Sequence, residues 1–192
     1  MNVAVFFLQY LLGDSLLVSF ALWPQGDRVM MHGAPSLHIW QVVTYAFLHA
    51  GLTHLFFNMF ALLMFGGSIE ELFGPRRYLI YYFACVIGAA TTQLAVNDLL
   101  NSPYPTVGAS GGVFGLLLAY GMSYPHRRLV VLPIPFPMPA WLVMTLYGAL
   151  ELFLGVTGTQ QGVAHFAHLG GMAAGYLLIR YWRSRANRGG VA

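Results

Sequence analysis

Six apolar stretches follow one another along this chain, at roughly 3–22, 52–72, 78–98, 110–124, 140–157 and 163–181. Each is close to the ~20 residues that an α-helix needs to cross a hydrocarbon core of about 30 Å. Composition decides between a membrane bundle and a large soluble core. Of the 192 residues, 58% are hydrophobic and 8% are charged, whereas a soluble domain carries about 25% charged residues. Too little polar surface exists to coat a water-soluble globule. The expected fold class is an all-α membrane protein, a six-transmembrane-helix bundle forming one domain over 1–192. The first stretch is the least regular, because Gln9 and Asp14 interrupt it. Ser19 and Ala21 loosely match a small-x-small cleavage pattern, but no basic segment precedes them, so the stretch is read as a span.

The arginines orient the bundle. Arg76 and Arg77 follow the second span, Arg127 and Arg128 the fourth, and Arg180, Arg183, Arg185 and Arg188 the sixth, while the opposite loops hold only Arg28. The positive-inside rule places the ends of the even-numbered spans, and both chain termini, in the cytoplasm. The arginines are clustered at helix ends and serve as topology signals, so no nucleic-acid partner is expected. The outer segment at about 23–51 contains Pro24, Gly26, Gly33 and Pro35 and is too polar to span. The segment "SYPHRRLVVLPIPFPMP" ends the fourth span and delays the fifth through its prolines. The single cysteine, Cys85, lies in an apolar run and is expected to be an inert core residue.

Polar side chains within spans are costly and face a bundle interior or a cavity. The second span opens with "LTHLFFNMF", placing His54 and Asn58 four residues apart on one helix face. The fourth opens with Ser110 in "GASGGVFG", and the sixth contains His165 and His168 in "AHFAHLGGMAAG". Counted from the cytoplasmic ends, Ser110 and Asn58 lie about 15 residues in, roughly 22 Å, and His168 about 12, roughly 18 Å. Three distant helices thus place a serine, two histidines and an amide at one depth. Gly111 and Gly115 on the fourth span, and Gly171 and Gly175 on the sixth, have the four-residue spacing that lets membrane helices approach closely. Close approach of these two spans would bring Ser110 within reach of His168.

A serine hydroxyl is a weak nucleophile until an adjacent base takes its proton. Acyl transfer also needs donors for the developing oxyanion. Ser110 begins a helix, so nearby backbone N–H groups lack helical partners, and His54 and Asn58 add side-chain donors. Alone, each residue has a plain structural role: a cap, a helix–helix hydrogen bond, a packing glycine. His165 and His168, with His49 and His54, offer nitrogen ligands, but the chain has no His-Glu-x-x-His motif, and neither a metal nor a cofactor is assigned. Glu151 lies within the fifth span and receives no role. The serine and histidine are read as a dyad without a carboxylate. Two other function classes remain open at this point. A histidine-based proton-coupled transporter would be expected to show repeats and broken helices, and a catalytically silent membrane-protein binding module would need none of Ser110, His168 or Asn58.

Three motifs in order, "HAGLTHLFFN" (49–58), "GASG" (108–111) and "AHFAHLGG" (164–171), resemble those of the rhomboid intramembrane serine proteases, as does "GGSIEELFGPRR" (66–77). The resemblance implies a six-helix bundle with Ser110 as nucleophile and His168 as general base. It implies an oxyanion hole from His54, Asn58 and the Ser110 backbone N–H, with Gly108, Gly111, Phe114 and Gly171 in support. Phe114 would pack on the catalytic histidine, where some relatives carry tyrosine. Many bacterial relatives have Trp-Arg in the first outer loop, and here Gln41 stands in the arginine position. Because the serine and histidine are both kept, the chain is expected to be active. The implied partners are the lipid bilayer and single-pass transmembrane substrates, and the implied location is the bacterial inner membrane.

Overall fold

The structure, a computed structural model, describes residues 1–25, 35–131, 134–158 and 163–189. Gly26, Arg28 and Gly33 of the outer segment lie outside the described residues. The chain is mostly helical: α1 (Asn2–Leu12), α2 (Asp14–Phe20), α3 (Gln41–Thr44) with a 3-10 turn at Tyr45–Phe47, α4 (Leu52–Phe73), α5 (Pro75–Leu100), α6 (Ser110–Ser123), α7 (Ala140–Thr157) and α8 (His165–Gly189). Three of these, α4, α5 and α7, are long and apolar enough to cross a membrane, while α1 and α6 are shorter apolar helices.

The first apolar stretch is broken, contrary to a single continuous span. Gly13 adopts φ +58° between α1 and α2, a left-handed conformation that glycine reaches without a Cβ clash. Asp14 then occupies the first turn of α2, where the positive end of a helix favours an anion. Gln9 is a tether more than an interruption. Its amide donates to the His49 carbonyl at 3.2 Å and accepts from the His49 N–H at 3.0 Å.

The all-helical expectation also fails between α6 and α7. Residues Arg128–Val131 (β1) and Ile134–Pro139 (β2) form an antiparallel hairpin, with Arg128 opposite Pro139 and Leu129 opposite Met138. Prolines in "IPFPMP" recur at every second position. A strand has the same period, so the residues between the prolines keep the N–H groups that the ladder needs. Prolines read as helix delay are also compatible with an edge strand.

The core is built around α5, which packs along both α6 and α8. Tyr45, Tyr81, Cys85, Val86 and Leu116 are fully buried there, so Cys85 is the core residue expected. The Tyr81 hydroxyl donates to the Gly115 carbonyl at 2.7 Å, and the Tyr45 hydroxyl to the Val86 carbonyl at 2.8 Å. Each buried hydroxyl is thereby satisfied, as burial demands. Outside, large apolar side chains are exposed, among them Phe57, Leu63, Phe153, Val156 and Leu177, while Asn58, Glu151, His165 and His168 are buried. Apolar groups outward and ionisable groups inward is the arrangement of a protein that uses lipid as its solvent.

Small residues set the helix spacing, with partners that differ in part from those expected. A Cβ built on Gly171 would collide with the Gly111 carbonyl oxygen, so α6 and α8 meet backbone to backbone at this point, as the sequence predicts. Gly175 instead faces α5, while Gly115 faces both neighbours, with the Gly171 carbonyl oxygen of α8 3.4 Å from its Cβ position. A Cβ on Gly115 would meet Cys85, and one on Gly175 would meet Tyr81. The reason is steric: α5 lies against both helices, and its side chains occupy the room these glycines leave.

Candidate active site

Ser110 is the first residue of α6, and no side chain caps that helix end. The loop leading to it is held at two places. Leu22 and Thr106 exchange a pair of backbone hydrogen bonds at 3.0 and 2.9 Å, and the Gly108 N–H donates to the Tyr45 carbonyl at 3.0 Å. Gly108 itself adopts φ +125°. A Cβ there would stand 2.7 Å from His54 Cε1 and 3.7 Å from Ser110 Oγ. Glycine is thus required for both conformation and space, and the His54 ring and the Ser110 hydroxyl border the same small volume.

Ser110 Oγ and His168 Nε2 stand 2.8 Å apart, within hydrogen-bond distance. His168 is buried, and its ring stacks on Phe114 with centroids 4.3 Å apart and planes 5° from parallel. Phe114 lies one turn beyond Ser110 on α6, so a single helix supplies both the hydroxyl and the surface on which the imidazole lies. The approach of α6 to α8 at Gly111 and Gly171 makes this contact geometrically accessible.

His54 lies in the first turn of α4. Its Nδ1 accepts from the Ala50 N–H at 3.4 Å, which leaves Nε2 to carry the proton of the neutral ring and to face Gly108. Asn58 is buried one turn further on and donates from Nδ2 to the His54 carbonyl at 2.9 Å. His49 packs edge-on to His54 with ring centroids 5.2 Å apart. His49 is buried in the loop before α4, and that burial, reinforced by His54, lowers its pKa to about 4.

One group at the site was assigned no role from the sequence. Glu151, buried on α7, places Oε2 2.8 Å from His168 Nδ1 and 2.6 Å from His165 Nδ1. The sequence reading gave His168 no carboxylate neighbour, and the structure sets one against it. The available signal was a lone glutamate in the middle of an apolar span, which marks a functional position by default. Its partners could not be read because they lie beyond the α7–α8 connection. Gln41 is likewise a fully buried tether. Its carbonyl oxygen accepts from the His38 and Trp23 N–H groups at 3.2 and 3.4 Å, and its amide donates to the Ser19 carbonyl at 3.3 Å.

Among the described residues, the donor set able to hold a metal is Glu151, His165 and His168, not the four histidines considered from the sequence. Its nitrogen–oxygen separations of 2.6 and 2.8 Å are hydrogen-bond distances. Ligand atoms around tetrahedral zinc, with bonds of about 2.0–2.1 Å, stand about 3.3 Å apart.

Fold and site together define an integral membrane protein in which a serine at a helix start touches a buried histidine. A family model described as Rhomboid domain matches residues 36–185. The chain is 29% identical over 139 residues to rhomboid protease GluP of Bacillus subtilis (strain 168), covering 71% of this chain and 25% of that protein. It is 33% identical over 140 residues to RHOMBOID-like protein 1 of Arabidopsis thaliana, covering 73% and 33% respectively. To rhomboid protease GlpG of Yersinia pestis (strain Pestoides F) it is 26% identical over 187 residues, covering 95% and 60%. The chain thus spans between a quarter and three fifths of the length of these relatives. It belongs to the rhomboid family.

Proposed function

We propose that this protein is an intramembrane serine endopeptidase that cleaves membrane-protein substrates in or near a single transmembrane segment. The observation that carries the reading is the 2.8 Å contact between Ser110 Oγ and His168 Nε2 inside an apolar bundle. Ser110 Oγ attacks the scissile carbonyl carbon while its proton passes to His168 Nε2. The carbonyl oxygen becomes an oxyanion, held by the Ser110 backbone N–H, the His54 Nε2–H and the Asn58 amide. His168 then protonates the leaving amine. Water, deprotonated by the same nitrogen, releases the acyl group and restores Ser110.

The domain is the whole of 1–192, with six membrane crossings, the first of them interrupted at Gly13. The arginine distribution supports cytoplasmic termini, and the membrane assigned in this reading is the bacterial inner membrane. The chemistry needs no cofactor and the chain no nucleic-acid partner. A silent binding module or a proton-coupled transporter would have no use for a hydroxyl aimed at the histidine.

The test is cleavage of a model transmembrane substrate by the purified protein in detergent. Ser110→Ala and His168→Ala should each abolish cleavage in folded protein, and the double variant should be no worse, because such groups act as a unit. Near-native turnover in either single variant would remove the assignment.

A further inference from the structure

His168 is engaged at both ring nitrogens: Nε2 with Ser110 and Nδ1 with Glu151, each at 2.8 Å. An ionised carboxylate only accepts hydrogen bonds. Beside Glu151, therefore, Nδ1 of a neutral His168 must carry the proton, and Nε2 is left with the lone pair that receives the Ser110 proton. The same Oε2 meets His165 Nδ1 at 2.6 Å. Two N–H groups from one turn of α8 thus converge on one oxygen from α7. Resting on the protease reading above, we propose that Glu151 is a positioning residue: it selects the His168 tautomer competent to act as base, and His165 holds the carboxylate in place.

A contact that only joined α7 to α8 would be complete with His165 alone. The second contact reaches the one ring that also touches the nucleophile. In the proton transfer, the Ser110 O–H bond breaks, the His168 Nε2–H bond forms, and Glu151 keeps its charge. An imidazolium then stands 2.8 Å from a buried carboxylate. That attraction is far stronger once the charge has formed, so it favours the transition state over the resting enzyme. Buried charge is tolerated only when hydrogen-bonded, and the two imidazole N–H groups supply this.

Glu151→Gln keeps the shape and removes the charge. The new amide can donate to His168 Nδ1, which favours the tautomer with its proton on Nε2, facing Ser110. The expected result is a fall in kcat on the order of 10²–10⁴-fold with KM little changed, as when the orienting carboxylate of a serine protease is neutralised. Nitrogen-15 NMR of histidine-labelled protein in micelles should show His168 protonated at Nδ1 in the wild type and at Nε2 in the variant. A wild-type spectrum with the proton on Nε2 overturns the inference, and it decides the matter even if the variant fails to fold. In a folded variant, a fall in kcat of less than about tenfold, a loss carried by KM instead, or retention of the wild-type tautomer also overturns it. Ser110→Ala, measured alongside, separates the two levels. If it is inactive while Glu151→Gln is not impaired, only the role of Glu151 falls. If it is active, the protease reading falls first.

Discussion

Replacing Gly171 by alanine adds a single methyl group at the closest approach of α6 and α8. That methyl carbon would sit 2.8 Å from the Gly111 carbonyl carbon and 3.2 Å from its Cα, and nearer still to the carbonyl oxygen. All three are backbone atoms, so no side chain can swing aside. Ordinary carbon–carbon contact is about 3.5 Å or more, so the helices must separate by roughly 0.7 Å or more to clear the carbonyl carbon alone. Ser110 precedes Gly111 directly, and the same separation would stretch its 2.8 Å bond to His168 to about 3.5 Å, past useful hydrogen bonding. Overpacking of this kind typically destabilises by about 1–3 kcal/mol, and a displacement near 1 Å at reacting groups can slow catalysis by about 10²-fold. The assay is the rate of Ser110 labelling by a fluorophosphonate, followed beside substrate cleavage and the thermal unfolding midpoint. Labelling and cleavage should both slow markedly, and the midpoint should drop. Native labelling and stability in Gly171→Ala would show that α6 and α8 do not touch here, and the account of how serine meets histidine would fail.

Gln41→Ala should lower the unfolding midpoint, because the half-buried Trp23 N–H and the His38 N–H lose their acceptor, at about 0.5–1.5 kcal/mol each. Fluorophosphonate labelling of the protein that stays folded should remain near native, and an unchanged midpoint would mean that the outer loop is held by other contacts. His49 should make the fold acid-sensitive. Burial, with His54 as a second cause, lowers its pKa to about 4, below the ~6.5 of an unfolded histidine. The unfolded chain therefore binds the extra proton first, and the stability that neutral His49 supplies, complete above about 6.5, is lost as pH falls toward 4. In His49→Gln, the drop in unfolding midpoint between pH 7 and pH 4 should be smaller than in wild type, and an equal drop would assign the acid sensitivity elsewhere.

The contact between Ser110 and His168 was legible because two independent signals agreed. Ser110 and His168 lie at one depth in separate spans, and small residues beside each permit close approach; Gly111 and Gly171 do meet. The reading faltered where a third element intervened. Gly175 carries the same spacing, yet faces Tyr81 of α5, and Gly115 meets Cys85 of α5 as well as Gly171 of α8, because four-residue spacing marks a face and not its partner. Proline at alternate positions suits an edge strand as well as it breaks a helix, so β2 was hidden in what looked like irregular chain. Glu151 was visible as a buried ionisable group without a counterpart. Its partners depend on which elements pack against the face of α7 that carries it, and the apolar residues around the rest of the helix do not encode that.

The hairpin has a mechanical consequence for that carboxylate. The first turn of α7 is fastened to the turn that follows α6: the Ala140 N–H donates to the Arg127 carbonyl at 2.9 Å, and the Trp141 N–H to the Pro125 carbonyl at 3.2 Å. Glu151 rides about 16 Å further up the helix, at about 1.5 Å per residue. Pivoting on that fastening, a tilt of α7 by about 5° carries the carboxylate through about 1.4 Å, enough to turn a hydrogen bond into a gap. The bond between Glu151 and His168 is therefore a gauge of helix attitude: it holds only while α7 keeps its place against α8.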